Sequence, residues 1–237
     1  MSKEREKAIL EKLLKNKRVT VKDLARELYI SEPSVRRDLM SLEKQNLIKR
    51  VHGGAVLEES ALSKTRIPFI VRELEESGGK LLIAKQAAEL VKDGNVVFLD
   101  ASTSAYNVID FLADKKGITV VTNGVKALLK LAEYGINTIS TGGALVSSCL
   151  ALVGEEAYKT VESINADVAF FSCRGVSDDG ALTDISPEEN YIRIKMIKNS
   201  ASAYALLTAD KWGKKYYHNL CKIRDIDGVI CEDKIVK

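Results

Sequence analysis

The sequence predicts two domains: a small bundle of three helices closed by a β-hairpin, then a larger α/β domain built on a mostly parallel sheet. Three observations predict it. Apolar residues recur at helical spacing through the first 45 or so positions. From Lys80 onward, helix-like stretches alternate with short β-branched runs, the pattern of strands joined by crossover helices. Charge is segregated as well: residues 1–55 hold 14 Lys/Arg against 8 Asp/Glu, leaving 22 against 25 for residues 56–237. With 237 residues, 46% of them apolar and 29% charged, there is material for a core in each domain, and the composition is not that of a disordered chain.

A first helix starts near Ser2 and places Ile9, Leu10, Leu13 and Leu14 on one stripe; Asn16, Lys17 and Arg18 break it. Thr20 is placed as N-cap of a second helix, with Asp23 reaching back as in a capping box and Leu24, Ala25 and Leu28 facing inward. After Tyr29 and Ile30, Ser31 caps a third helix, with Pro33 in its first turn, where no intrahelical N–H is needed. Val35, Leu39 and Leu42 point inward and Asn46 stops the helix. Leu47–Val51 and Ala55–Leu57 form two strands joined at His52-Gly53-Gly54. These elements make a domain over residues 1–57. Residues 58–79, charged and irregular with Pro68 and Gly78-Gly79, form a linker with room for some helix. In the domain at 80–237, strands are expected at Val96–Leu99, Ile118–Val121, Asn137–Ser140, Val168–Phe171, Tyr204–Leu207 and Gly228–Cys231. Amphipathic segments at 105–113, 124–133 and 188–200 lie between them.

Two capped helices separated by a short turn make a helix-turn-helix. With Val35, Leu39 and Leu42 inside, the outer side of the third helix presents Pro33, Arg37 and Met40, flanked by Ser34 and Arg36. Arginine bonds guanine O6 and N7 in a bidentate way or clamps a phosphate. A solvated helix face would carry the same pair. The basic N-terminal charge, the capped preceding helix and the hairpin together favour double-stranded DNA, with Thr20 and Ser31 completing the contact set on the helices. Asp38 points toward the core side, as an internal partner. Lys49, Arg50 and His52 are placed for a second contact from the hairpin, the alternative being an ordinary hairpin whose glycines only permit positive φ. One small helix-turn-helix buries little DNA, so a homodimer or homotetramer is expected on the operator.

Cys149, Cys173, Cys221 and Cys231 show no C-x-x-C pairing, and His52 and His218 lie far apart, so no metal site is expected. The cysteines read as reduced core residues of a cytoplasmic protein. Neither a secretory signal nor a membrane span is expected from the apolar runs.

Three expected strands end in polar or glycine-rich turns: Asp100-Ala101-Ser102-Thr103-Ser104, Thr122-Asn123-Gly124 and Thr141-Gly142-Gly143. Small hydroxyl residues opening a helix offer N–H and O–H donors to an anion, although they also serve as plain caps. In a parallel sheet the three ends are neighbours, and ligands bind at the carboxyl ends of such strands. Together they favour a phosphate or polyol site.

The run VTVKDLARELYISEPSVRRDLMSLEKQNLIKRVHGGA, Val19 to Ala55, resembles the N-terminal domain of DeoR-type bacterial regulators. The shared features include S-x-x-x-[IV]-R-R-D-L and R-x-H-G-G-A. The resemblance continues in IPFIVRE at 67–73, KLLIAKQAAELVKDGNVVFLD at 80–100, TVVTNG at 119–124, TGGAL at 141–145, GVSDDGALTD at 175–184 and LLTADKWG at 206–213. It implies a winged helix-turn-helix and a sensor domain resembling ribose-5-phosphate isomerase that responds to a sugar phosphate. Asp100, Ser102, Thr103, Ser104, Thr122, Asn123, Gly142, Gly143 and Lys211 would line the pocket. Asp100 would accept from sugar hydroxyls, residues 102–104 would hold phosphate, and Lys211 would supply positive charge. The chain departs from the family pattern at Ser102, usually Gly, at Thr208, usually Asp, and at Arg193, commonly Lys. It departs again at Arg174, often Asp, Asn or Ser. Arg174 and Arg193 either read an anion bidentately or pair at the surface with acids such as Asp178, Glu188 or Glu189, and both readings stay open.

The function expected is a sequence-specific, ligand-controlled transcriptional regulator, a repressor of carbohydrate metabolism genes. The alternative is a sugar-phosphate-converting enzyme with an appended DNA-binding module. An aldose–ketose isomerase needs a carboxylate base within reach of a C–H bond. Asp100 is the one acid placed at a strand end, Ser172–Gly175 offers no acidic pair, and Cys173 has no histidine near it in sequence. No catalytic residue and no cofactor is therefore expected.

Overall fold

The stripe of Ile9, Leu10 and Leu13 is buried along helix α1 (Ser2–Asn16), as its spacing requires. The computed structural model describes residues 2–58, 67–75, 77–233 and 235–236, and the chain divides into two units, Met1–Glu75 and Glu76–Lys237. Lys17 closes α1 in the left-handed region (φ 61°), and Arg18–Thr20 form strand β1. Thr20 caps α2 (Val21–Glu27): its Oγ1 accepts from Asp23 N at 3.1 Å and donates to Asp23 Oδ2 at 2.7 Å. Helix α3 (Glu32–Lys44) buries Val35, Leu39 and Leu42, and Asn46 (φ 56°) lies just beyond its end. Asp38 makes the expected internal pair, taking Arg5 Nε at 2.9 Å and Nη2 at 3.2 Å.

Two local expectations are corrected. Ser31 makes no side-chain cap; its hydroxyl meets that of Ser34 at 3.0 Å. A capping oxygen bonds the second or third helical N–H. Here the second is Pro33, and the third, Ser34, already donates to the Ser31 carbonyl at 3.0 Å. The hairpin is also part of a larger sheet. Strands β2 (Ile48–Val51) and β3 (Gly54–Leu57) pair antiparallel, and β1 adds to β3 in the order β1-β3-β2. β1 has three residues with only Val19 buried, too short for a period to show. The two wing glycines do different work. Gly53 takes the positive φ of the turn (73°), whereas a Cβ on Gly54 would lie 2.0 Å from the Val19 carbonyl oxygen.

Of the expected linker 58–79, residues 59–66 and 76 lie outside the described residues. Phe69–Leu74 is helix α4, with Val71 in the core of the first unit. Helix α5 (Ser77–Glu89) opens the second.

The second unit is a seven-stranded sheet. β4 (Val96–Leu99), β5 (Thr119–Thr122), β6 (Asn137–Ser140), β9 (Ala166–Phe171), β12 (Ser200–Leu206) and β14 (Gly228–Ile230) run parallel. β15 (Ile235–Val236) adds antiparallel at one edge, giving the order β15-β14-β12-β9-β4-β5-β6. Both faces are covered. Val97, Leu99, Val120 and Phe170 pack with α5, α6 (Thr103–Val108) and α7 (Val125–Glu133). Phe98, Val121, Ala169 and Phe171 pack with α8 (Glu155–Glu162) and α9 (Pro187–Lys198). Central strands buried on both faces are near-continuous apolar runs, which is how β4, β5 and β9 were expected, whereas the edge strand β6 is mostly exposed and was marked by its β-branched Thr138 and Ile139. The smaller pieces were not expected: a hairpin of β7 (Ala144–Val146) and β8 (Ala151–Val153), and a sheet of β10 (Gly175–Val176), β11 (Ala181–Asp184) and β13 (His218–Lys222). No helix of the described residues is long and apolar enough to cross a membrane.

Strand order sets the site. From β4 the chain builds outward through β5 and β6, then returns to the other side of β4 with β9, β12 and β14. The reversal falls between β4 and β9, and an open α/β sheet leaves a crevice at the carboxyl ends there.

Gly54→Ala is expected to destabilise the first unit by roughly 1–3 kcal/mol, the cost of overpacking against backbone. Thermal unfolding followed by circular dichroism reads this; a wild-type melting curve contradicts the close approach of β1 and β3.

Candidate functional site

β4 runs into Asp100, and the chain turns at once into α6. Asp100 Oδ1 accepts from Ser102 N at 3.1 Å, and Ser102 Oγ caps α6 by accepting from Ala105 N at 3.1 Å. Across the crevice, Asp100 Oδ2 accepts from Ser172 N at 3.3 Å, just after β9, and from Arg193 Nε at 2.8 Å, on α9. The same guanidinium reaches Asp184 Oδ2 at 2.9 Å and Asn190 Oδ1 at 3.3 Å through Nη1, and Glu189 Oε2 at 3.2 Å through Nη2. Arg193 is 3% exposed and Asp100 1%. Burial works against the charge on Arg193, but Asp100, Asp184 and Glu189 outweigh it and hold the guanidinium above arginine's ordinary range.

Two further cations stand beside this cluster. Arg174 Nε lies 3.5 Å from Asp184 Oδ1. Lys211 ends a short 3₁₀ turn, Ala209–Lys211, and its Nζ donates to Ser172 Oγ at 2.7 Å; that hydroxyl donates in turn to the Leu206 carbonyl at 2.7 Å.

The ends of β5 and β6 adjoin the crevice. Thr122 Oγ1 accepts from Gly124 N at 3.0 Å, and a Cβ on Gly124 would lie 3.2 Å from Ala101 Cα, so the two turns are in contact. Thr141 N donates to Thr122 O at 3.2 Å, ahead of Gly142 (φ 66°) and Gly143 (φ 102°). A Cβ on Gly143 would lie 2.4 Å from Val153 O. Asn123 Nδ2 donates to Leu152 O at 3.1 Å, which fixes the amide so that Oδ1 points elsewhere. Ser104 and Asn123 are each 1% exposed, yet among the described residues Ser104 Oγ and Asn123 Oδ1 make no hydrogen bond. Buried polar atoms in folded proteins almost always have partners.

The structure thus gathers the expected residues at one end of the sheet and alters the roles of two. Asp100, expected to accept from ligand hydroxyls, has both oxygens engaged by protein donors. Arg193 does pair with Glu189, but deep inside the unit rather than at the surface, and with Asp100 and Asp184 besides. Ser172 and Asp184 were given no part in the site by the sequence. β11 is short and pairs outside the main sheet, so no strand-end rule marks its terminal acid. Both carboxylates, Asp100 and Asp184, are committed to Arg193 and to backbone N–H groups. Cys173 is poorly placed as a nucleophile: burial pushes its thiol up to about 11, neutral at physiological pH.

In the first unit, Ser31, Pro33, Arg36, Arg37 and Met40 are exposed on α3 and Ser34 is half-buried. Arg36 reaches Glu32 at 3.3 Å and Arg37 reaches Ser34 Oγ at 3.2 Å, contacts within one exposed helical turn that a phosphate or base edge can replace. Lys49 and His52 are exposed on the wing. Arg50 is tied back to α3: its N–H and Nε bond Glu43 at 3.0 and 2.6 Å, holding that carboxyl below its ordinary value.

Comparison with known proteins agrees with this division. The model of the DeoR-like helix-turn-helix domain matches residues 5–61, and that of the DeoR C terminal sensor domain matches residues 75–233. The HTH-type transcriptional regulator GolR of Listeria innocua is 34% identical over 99% of this chain and 92% of its own. The glycerol-3-phosphate regulon repressor of Escherichia coli is 27% identical over 95% and 89%. The lactose phosphotransferase system repressor of Staphylococcus epidermidis is 28% identical over 93% and 88%. These relatives are named as transcriptional regulators or repressors. Among solved structures, the delta subunit of eIF2B from Chaetomium thermophilum shares the fold over 70% of this chain and 62% of its own, with a TM-score of 0.52 and 15% identity. Ribose 5-phosphate isomerase A from Methanocaldococcus jannaschii aligns over 56% and 53%, with a TM-score of 0.42 and 19% identity, and nothing about activity follows from it.

Arg193→Met is expected to cost the second unit about 3–5 kcal/mol, because it leaves buried acids without their counter-charge. Arg193→Lys, which keeps the charge but not the fork, should fall between the two. An unchanged melting temperature in Arg193→Met contradicts the clustering of Asp100, Asp184 and Glu189 about one guanidinium.

Proposed function

The chain belongs to the DeoR family of helix-turn-helix transcriptional regulators, and from that premise we propose that it represses carbohydrate-metabolism genes under control of a phosphorylated sugar. Two relatives are named as repressors, one of a lactose phosphotransferase system and one of a glycerol-3-phosphate regulon, which supports the repressor half of the reading. The domain limits proposed are those of the sequence reading, 1–57 and 80–237.

DNA is read by the exposed side of α3, through Pro33, Ser34, Arg36 and Arg37. Thr20 and Ser31 stand at the openings of α2 and α3, and Lys49 and His52 reach from the wing. Arg50 sets the wing against α3. A homodimer or homotetramer presents two such surfaces to successive half-sites.

One observation carries the effector reading: Ser104 Oγ and Asn123 Oδ1 are buried with no hydrogen-bond partner among the described residues, beside the reversal point of the sheet. Ser104 can donate or accept, but Asn123 Oδ1 only accepts. The ligand must therefore bring a donor such as a hydroxyl, which a phosphate dianion alone lacks. Residues 102–104, with Arg174 and Lys211, supply the donors and charge for the anionic group. Thr122, Gly142 and Gly143 shape the neighbouring wall. Asp100 and Arg193 act one step behind, fixing Ser102 and Ser172.

Ser104→Ala removes a hydroxyl that has no hydrogen-bond partner among the described residues. Its ligand-free melting temperature should hold or rise. Its affinity for a sugar phosphate should fall about two- to twelvefold, the equivalent of about 0.5–1.5 kcal/mol for one hydrogen bond. A thermal-shift series reads both, since a ligand of the folded state raises the midpoint with log concentration. Thr103→Asp should abolish the response by repelling an anion, with operator binding retained. If both variants respond at the wild-type concentration, the site lies elsewhere.

Arg36→Ala or Arg37→Ala should weaken operator binding by roughly 1–3 kcal/mol if the residue reads a base edge. A phosphate contact would weaken all sequences alike and flatten the salt dependence. Gel shifts equal to wild type for both would refute the assignment of α3.

A further inference from the structure

The turn that carries Lys211 is held from outside the crevice by Glu232. Ala209 N donates to Glu232 Oε1 at 2.9 Å, and Lys211 N closes the turn on Thr208 O at 3.1 Å. The same carboxylate leans on the first turn of α5: a Cβ on Gly79 would lie 2.9 Å from Glu232 Oε1 and 3.2 Å from its Cγ. Two turns along α5, Gln86 Nε2 donates to the carbonyls of Cys231 and Glu232 at 2.9 and 3.0 Å. α5 is thereby fastened to the segment after β14, and through one carboxylate to the turn whose lysine sits on Ser172. It is also the first element of the second unit, starting at Ser77 where the first unit ends at Glu75.

We infer that Glu232 is a positioning residue that couples occupancy of the crevice to α5, and so to the helix nearest in sequence to the DNA-binding unit. The inference rests on Lys211 being an effector contact. An anion that takes the Lys211 ammonium draws it from Ser172 Oγ. The turn is three residues long and closed by its own hydrogen bond, so it moves as one piece and carries Ala209 N–H with it. Glu232 then either follows, shifting against Gly79, or leaves a backbone donor without its acceptor, which is the costlier outcome. Gly79 fits this role. It lies in a helix, where glycine is worse than alanine, and it does not use a positive φ. Room for the Glu232 side chain accounts for it. Coupling through such a chain of contacts needs only that ligand prefer one of its two arrangements.

The test uses the full chain and three probes: inorganic phosphate, glycerol 3-phosphate and a hexose 6-phosphate. Binding is read from the single tryptophan, Trp212, which follows Lys211 directly. Operator affinity is measured with and without each probe. Glu232→Ala should bind the responding probe nearly as wild type does, while its operator response falls from the roughly 5- to 150-fold of ordinary coupling to about twofold or less. Glu232→Gln keeps the acceptor oxygen and the volume, and should keep the response. Gly79→Ala supplies a better helix former, so a lost response there without a lower melting temperature cannot be ascribed to unfolding. If wild type, Glu232→Ala and Gly79→Ala all respond alike, the relay is wrong and the site reading stands. If wild type responds to no probe, the site reading fails and the relay with it. If Glu232→Ala no longer binds the probe, Glu232 supports the pocket itself and is not a relay.

Discussion

A guanidinium taken out of water must find opposite charge, and Arg193 finds it on three elements at once. Asp100 follows β4, Asp184 ends β11 and Glu189 lies one turn back on α9. Each of those acids would be as costly alone as the arginine. The cluster therefore holds together only as a set, and it fixes the mutual positions of β4, β9, β11 and α9 at the mouth of the crevice. What remains for a ligand follows from it. The two best-placed carboxylates are spent on the protein's own cation, whereas among the described residues Ser104 and Asn123 each keep an atom without a hydrogen bond.

The two units solve different problems with the same economy of side chains. In the first, Arg5 satisfies Asp38 and Arg50 satisfies Glu43, so two of the three acids of α3 are neutralised from its inner and wing sides, and the third, Glu32, pairs with Arg36. Arg36 and Arg37 are left with short-range contacts on the exposed face. The wing depends on a backbone approach, not on charge: Gly54 lets β1 lie against β3 with the Val19 carbonyl where a side chain would stand.

Long apolar periodicity was legible in the sequence, and so were the three helices of the first unit and the six parallel strands. Val97, Phe98 and Leu99 face opposite cores yet are all buried, which is why β4 reads as an unbroken run. The polar strand ends were legible because they follow such runs. β1, β10 and β11 were not, since none of them is an unbroken β-branched or apolar run and their pairing is decided by distant partners. The same reason hid Asp184. Arg193 was visible as an unusual arginine, but its burial depends on the coincidence of three acids from positions 100, 184 and 189. The missing cap at Ser31 is a local case: Pro33 removes one donor and the Ser31 carbonyl takes the next.

Regulation requires that the crevice and the DNA-binding unit share a free energy, not merely a chain. The most direct test is reciprocal: the affinity of the responding sugar phosphate, measured by Trp212 fluorescence with and without saturating operator DNA. Linkage requires that DNA change ligand affinity by the same factor by which ligand changes DNA affinity, expected at about 5- to 150-fold. Equal ligand affinities in the two titrations would contradict control of DNA binding from this site.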